Sequence, residues 1–73
     1  MKIDYLVSMA NDISSFFDAE SGDDAARNIA SHIGRFWDRR MRAQIIAHLA
    51  SGGAGLSASA VAAVRQLPPV KPL

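Results

Sequence analysis

Apolar residues recur at intervals of three and four over the first quarter of the chain. This spacing places them on one face of an α-helix and predicts an amphipathic helix over residues 3–19. The stripe consists of Ile3, Leu6, Val7, Ala10, Ile13 and Phe17. The chain has 73 residues and no cysteine, so neither disulfides nor thiolate metal sites can hold a small fold together. The helix must therefore bury its apolar face against further helices or against a partner.

A second apolar row lies beside the first on the same predicted helix. It consists of Tyr5, Met9 and Phe16 and widens the apolar arc to roughly 200°. Two interpretations are open. Either the two rows pack against two different helices of the same domain, or the second row docks onto another chain.

The second helix is predicted over residues 24–37. It follows a short run of turn-forming and acidic residues in which Ser21 or Asp23 is the expected N-cap. Because this loop is short, the first two helices should form an antiparallel hairpin. Gly34 lies inside the second helix, which indicates either close approach of another helix or a weak point near the helix end.

The third helix is predicted over residues 39–50. Asp38 is its expected N-cap, and Gly52 and Gly53 are expected to terminate it. Its first turn carries several arginines, although the positive end of a helix normally favours acidic side chains. Such a departure indicates a surface kept for another purpose, or an ion-pair network that includes Asp38 and Arg35.

A short fourth helix is predicted over residues 58–67, with Ser57 as its N-cap. The proline-rich residues 68–73 cannot continue it and should form an extended C-terminal tail. The fold class predicted from the sequence is all-α, a small bundle of three main helices plus a short fourth helix. Residues 1–67 are expected to form a single helical domain.

The composition points away from several classes of function. The formal net charge is +1, so no strong overall field draws the chain to nucleic acid or to an anionic membrane. No run reaches the roughly 18 apolar residues of a membrane span. His32 and His48 lack the paired spacing of a zinc site. We predict no catalytic, cofactor-binding or metal-binding residue in this chain, no membrane partner, and cytoplasmic residence.

The stretch from residue 35 to residue 42 is the strongest candidate contact surface. It reads Arg-Phe-Trp-Asp-Arg-Arg-Met-Arg and holds four of the six arginines and the only tryptophan. Three interpretations are open: stacking and phosphate contacts with nucleic acid, a protein interface, or core aromatics beside solvated arginines. Asp38 and the low net charge weigh against nucleic acid. Tryptophan and arginine dominate the energetics of protein interfaces, which favours the second interpretation.

In this region the sequence resembles the delta subunit of NAD-dependent formate dehydrogenases that contain molybdenum or tungsten. The resemblance covers residues 3–67. It rests on ordered blocks: Met9-Ala10-Asn11 with Ile13, Phe16 and Phe17, then Phe36-Trp37-Asp38, Arg40-Met41-Arg42, Ala47-His48-Leu49, Gly52-Gly53 and Gly55-Leu56. The family pattern has proline where this chain has Arg39. Proline suits the first position of a helix, so the pattern agrees with Asp38 as the cap.

The resemblance implies an accessory subunit rather than an enzyme. The other subunits would carry the molybdenum or tungsten pterin, iron–sulfur clusters and FMN, and would pass the electrons of formate to NAD. This chain would dock on the large catalytic subunit and support assembly, stability or cofactor maturation. We predict that partner binding uses nine residues: Arg35, Phe36, Trp37, Arg39, Arg40 and Arg42, with Tyr5, Met9 and Phe16 as a second patch.

Two alternatives to this accessory role remain. A basic, aromatic helical protein would bind nucleic acid, with an affinity that falls steeply as salt rises. A self-associating bundle would place the wide apolar face of the first helix against its own copy, giving a homo-oligomer of the isolated chain.

Overall fold

Every segment with helical apolar spacing forms an α-helix in the computed structural model, which describes residues 2–70. No strand occurs between residues 2 and 70. The predicted all-α bundle of three main helices and a short fourth is confirmed. The last three residues of the predicted tail, 71–73, lie outside the described residues. The helices are α1 (Ile3–Ser21), α2 (Ala25–Phe36), α3 (Arg39–Ala50) and α4 (Ala58–Gln66), with a 3₁₀ turn, Gly22–Asp24, between α1 and α2.

The core takes one apolar stripe from each helix. The largest fully buried apolar side chains are Leu6 on α1, Ile29 and Ile33 on α2, and Ile45 on α3. Burying a side chain of this size contributes about 1.5–3 kcal/mol. Helix α4 adds small residues, among them Ala60, Ala63 and Val64. A helix as short and alanine-rich as α4 is marginal in isolation, so its packing against α1 and α2 must stabilise it.

Helices α1 and α2 form the predicted antiparallel hairpin. Next to the turn, Nδ2 of Asn28 donates to Oγ of Ser21 at 2.8 Å. Further along, the rings of Phe17 and His32 lie 6.1 Å apart. Positions on α1 therefore pair with positions on α2 in opposite chain directions. The cap predicted for α2 is wrong: neither Ser21 nor Asp23 caps it, because the 3₁₀ turn intervenes and Ser21 accepts from Asn28 instead.

The predicted caps of α3 and α4 are confirmed. Oδ1 of Asp38 accepts from the Met41 amide at 2.9 Å, and Oγ of Ser57 accepts from the Ala60 amide at 3.2 Å. Helix α3 ends in a Schellman motif. The Gly52 amide donates to the Leu49 carbonyl at 3.0 Å, and the Gly53 amide donates to the His48 carbonyl at 2.9 Å. Gly52 has a φ of 122°, a backbone conformation that side chains disfavour.

The loop between α3 and α4 is held by α1. Nδ2 of Asn11 donates to the Gly55 carbonyl at 2.8 Å, and Oδ1 of the same side chain accepts from the Ser57 amide at 2.9 Å. From the other side, Nε2 of His48 donates to the Ala54 carbonyl at 2.8 Å. These contacts fix the start of α4 relative to α1, across more than half the chain.

Candidate functional site

The second apolar row of α1 lies on the surface of the chain. Tyr5 is 65% exposed, Met9 37% and Phe16 60%. The interpretation in which this row packs against another helix of the same domain does not hold for residues 2–70. Exposed aromatic residues in one row of a helix are typical of a surface that contacts another molecule.

The two adjacent aromatics at the end of α2 have different environments. Phe36 is 69% exposed, whereas Trp37 is only 5% exposed and belongs to the core. Trp37 is the first residue after the helix, and its extended backbone turns the indole inward while its amide still donates to the Ile33 carbonyl at 2.9 Å. Of the two predicted contact aromatics, only Phe36 presents most of its ring to solvent.

Four rings form a continuous series from α1 to α2. Phe16 and Phe17 meet edge to face, with ring centroids 5.1 Å apart. Phe17 lies 6.1 Å from His32, and His32 lies 4.7 Å from Phe36. Aromatic pairs prefer these offset and edge-on arrangements. The series joins Phe16 and Phe36, which belong to separate patches in the sequence, into a single surface.

This surface is a shallow groove between α1 and α2, which we call the aromatic groove. Its lining combines residues from α1, from α2 and its C-cap Trp37, and from the first turn of α3. Tyr5 precedes Met9 by one helical turn and extends the same face of α1. The lining residues are Met9, Asp12, Ile13, Phe16, Phe17, Asn28, Ser31, His32, Arg35, Phe36, Trp37 and Met41.

Phe17 and His32 line this surface although they were not among the predicted contact residues. The apolar spacing places Phe17 in the stripe of the first helix, and His32 was considered only as a residue without zinc-site spacing. Their role follows from two signals taken together: His32 precedes Phe36 by four residues, one turn of the helix, and the antiparallel hairpin brings His32 opposite Phe17. The groove therefore depends on the pairing of two helices, which spacing within one helix does not show.

The four arginines do not form one patch. Arg35 lies on the rim of the groove, with its guanidinium carbon 6.0 Å from the centre of the Phe36 ring. Arg40 is exposed. Arg39 and Arg42 are partly buried and line a separate cleft with Pro69 and Val70.

The predicted ion-pair network of Asp38 and Arg35 does not form within the part of the chain that the structure describes. The ion pair found there joins Arg27 to Asp24 at 3.2 Å. Asp38 uses its carboxylate as a helix cap instead. Arg35 is therefore left on the groove rim without a carboxylate partner from residues 2–70.

The described residues show no metal-binding arrangement. Across positions 2–70, no three His, Cys, Asp or Glu side chains come together as ligands would. Over the same positions, none of the helices has both the length and the apolar character needed to cross a bilayer. The described residues form an apolar groove with charged rims, a surface suited to binding another macromolecule.

Comparison with known protein families gives a match over most of the chain. The family model for the NADH-dependent formate dehydrogenase delta subunit, FdsD, matches residues 5–64. Those residues contain the whole aromatic groove. Neither the curated proteins nor the solved structures compared with the chain give a match.

Proposed function

Because this chain belongs to the family of NADH-dependent formate dehydrogenase delta subunits, we propose that it is a non-catalytic accessory subunit that docks on the large catalytic subunit of that enzyme. The observation that carries the docking is the aromatic groove with its exposed Phe16 and Phe36. Aromatic and arginine side chains supply most of the binding energy at protein interfaces, and here Arg35 stands beside Phe36.

The proposal assigns the redox chemistry to the other subunits. They would hold the molybdenum or tungsten pterin, the iron–sulfur clusters and FMN, and would reduce NAD in the cytoplasm. This chain has no cysteine that could ligate a cluster. Its own contribution is assembly of the complex, stability of the catalytic subunit, or maturation of the cofactor in that subunit.

The geometry gives the nucleic-acid alternative little support. Trp37 is only 5% exposed and cannot stack on a base. The arginines also lie on different surfaces, since Arg35 flanks the groove whereas Arg39 and Arg42 adjoin Pro69 and Val70. We therefore retain one proposed function, with the exposed groove as its docking surface.

The test is to express the tagged chain together with the other formate dehydrogenase subunits and to purify through the tag. We expect the catalytic subunit to coelute, and deletion of the chain to lower both the yield of complex and formate oxidation. Metal content and half-life of the catalytic subunit then separate a maturation role from a stabilising role. A chain that elutes alone, and whose deletion changes neither yield nor activity, would contradict the proposal.

A further inference from the structure

Phe36 is exposed although it continues a buried side of its helix. It follows Ile29 by seven residues and His32 by four, so the three side chains share one face of α2. Ile29 is fully buried, whereas Phe36 is 69% exposed. Ile29 and Ile33 lead on to the buried Trp37, so Phe36 stands beside the buried stripe of α2 with most of its ring exposed. Its ring contacts that of His32, with 4.7 Å between the centroids.

The opposite wall of the groove, on α1, also carries a largely exposed aromatic side chain. Phe16 on α1 is 60% exposed, and its ring leads through Phe17 and His32 to Phe36. The groove thus lies between two antiparallel helices and has an exposed aromatic side chain on each wall. A third helix fills such a space by ridges-into-grooves packing, with anchors at intervals of three, four and seven residues.

The rims of the groove carry opposite charges. Arg35 lies on the α2 side and Asp12 on the α1 side. Neither has an ion-pair partner within the described residues. A segment lying in the groove would gain most if it presented a carboxylate toward α2 and a basic side chain toward α1. Such complementary pairs fix the orientation and register of the bound segment.

From these observations we propose that the aromatic groove binds an amphipathic helix of the catalytic subunit. The apolar residues of that helix cover Phe16 and Phe36, and one of its carboxylates pairs with Arg35. The inference rests on the proposed function, because it names the part of the catalytic subunit on which the chain docks. Affinity comes mainly from the aromatic contacts, and the Arg35 pair selects one direction for the bound helix.

The experiment measures binding of purified chain to the formate dehydrogenase complex prepared without it. Phe36→Ala removes the anchor on α2 and should weaken binding about thirtyfold, as expected for an interface hot spot. Arg35→Glu should weaken it about tenfold or more, whereas Arg35→Lys should stay within about threefold of the unchanged chain. Arg65→Glu changes an exposed charge on α4, outside the groove, and serves as the matched control.

Overlapping peptides from the catalytic subunit then identify the bound segment. We expect one amphipathic peptide that contains acidic residues to bind the unchanged chain and not to bind the Phe36→Ala variant. Because Phe36 and Arg35 are exposed, circular dichroism should show that both variants remain folded. This keeps loss of binding distinct from loss of structure.

The outcomes separate this inference from the proposed function. If the unchanged chain fails to bind the complex, the proposed function fails and the inference fails with it. If the chain binds and the groove variants bind equally well, docking stands and the groove is not its site. If light scattering shows that the unchanged chain self-associates through Phe36 and no peptide binds, the occupant is a second copy and the inference is overturned.

Discussion

The imidazole ring of His32 lies 4.7 Å from the ring of Phe36, with 39° between the two planes. His32 also contacts Phe17 across the helical hairpin, so it connects the exposed end of α2 to α1. Because of this contact, aromatic residues from two distant parts of the sequence share one groove. The surface that we propose for docking is a product of helix pairing and not of the basic stretch alone.

Phe36 and Trp37 are adjacent but should differ sharply in what they contribute to stability. Trp37→Ala removes a buried indole and should lower the free energy of unfolding by about 3–5 kcal/mol. Phe36→Ala removes a largely exposed ring and should cost less than about 1 kcal/mol. Urea denaturation of the isolated chain, followed by circular dichroism, measures both. Equal losses for the two variants would contradict the structure.

Gly34→Ala should stabilise the chain. The glycine lies within α2, and a Cβ atom built there meets no atom within 4 Å. Alanine is favoured over glycine inside a helix by about 0.8–1.0 kcal/mol, and for a domain of this size that corresponds to a rise of about 4–8 °C in Tm. Gly34 is thus a weak point near the end of α2, and the alternative of close helix approach is wrong for residues 2–70.

Gly53→Ala is the control for that measurement. Gly53 has a φ of 67°, and a Cβ there would stand 2.9 Å from Cδ1 of Leu49. Alanine at this position should therefore destabilise the chain by about 1 kcal/mol or more, the opposite sign to Gly34→Ala. Calorimetric scans of the two variants measure both changes in Tm. A lower Tm for Gly34→Ala would contradict the finding that a Cβ atom at Gly34 has free space.

The sequence carries enough information to predict the four helices and two of their caps. Apolar spacing defines α1, and Asp38 and Ser57 cap the later helices because a side-chain oxygen before a helix satisfies a free amide wherever it occurs. The 3₁₀ turn after Ser21 was not predicted, because the turn-forming residues there indicated a capped loop, whereas the Ser21 hydroxyl accepts a hydrogen bond from Asn28 on the next helix. Patterns within one stretch of sequence therefore predict a helix and its cap, but they do not predict hydrogen bonds between helices.

The candidate site was only partly predictable from the sequence, because it also depends on contacts between helices. Phe16 and Phe36 were chosen by residue type, but their junction through His32 requires the pairing of α1 with α2. The arginine stretch looked like one patch because its residues are consecutive. A helix boundary at Asp38 separates Arg35 from the later arginines. The exposure of Phe36 beside a buried Trp37 is likewise set by where the helix ends.

Asn11→Ala should destabilise the chain more than a typical surface change. The Asn11 side chain makes two hydrogen bonds to backbone groups near the start of α4, one as donor and one as acceptor. Losing both should cost about 1–3 kcal/mol. Asn28→Ala, which loses a single bond to Ser21, is the matched control and should cost about 0.5–1.5 kcal/mol. Denaturation midpoints of the two variants test whether Asn11→Ala is the more destabilising. A larger loss of stability for Asn28→Ala would contradict this expectation.

Asp38→Ala should lower stability by about 1 kcal/mol, because the Met41 amide loses its acceptor at the start of α3. Asp38→Asn keeps a capping oxygen and removes the charge that lies among the arginines. It should retain most of the stability if capping is the main role of the residue. Thermal unfolding of both variants distinguishes the two roles, since an equal loss would show that the carboxylate charge matters more than the cap.

We propose that the aromatic groove faces the catalytic subunit, and site-specific photo-crosslinking within the assembled complex tests this most directly. A photoreactive phenylalanine analogue placed at Phe36 stands in the groove, and the same analogue placed at Arg65 stands on α4 outside it. We predict a crosslink to an amphipathic helix of the catalytic subunit from position 36 and none from position 65. A crosslink to that subunit from position 65, with none from position 36, would contradict the account.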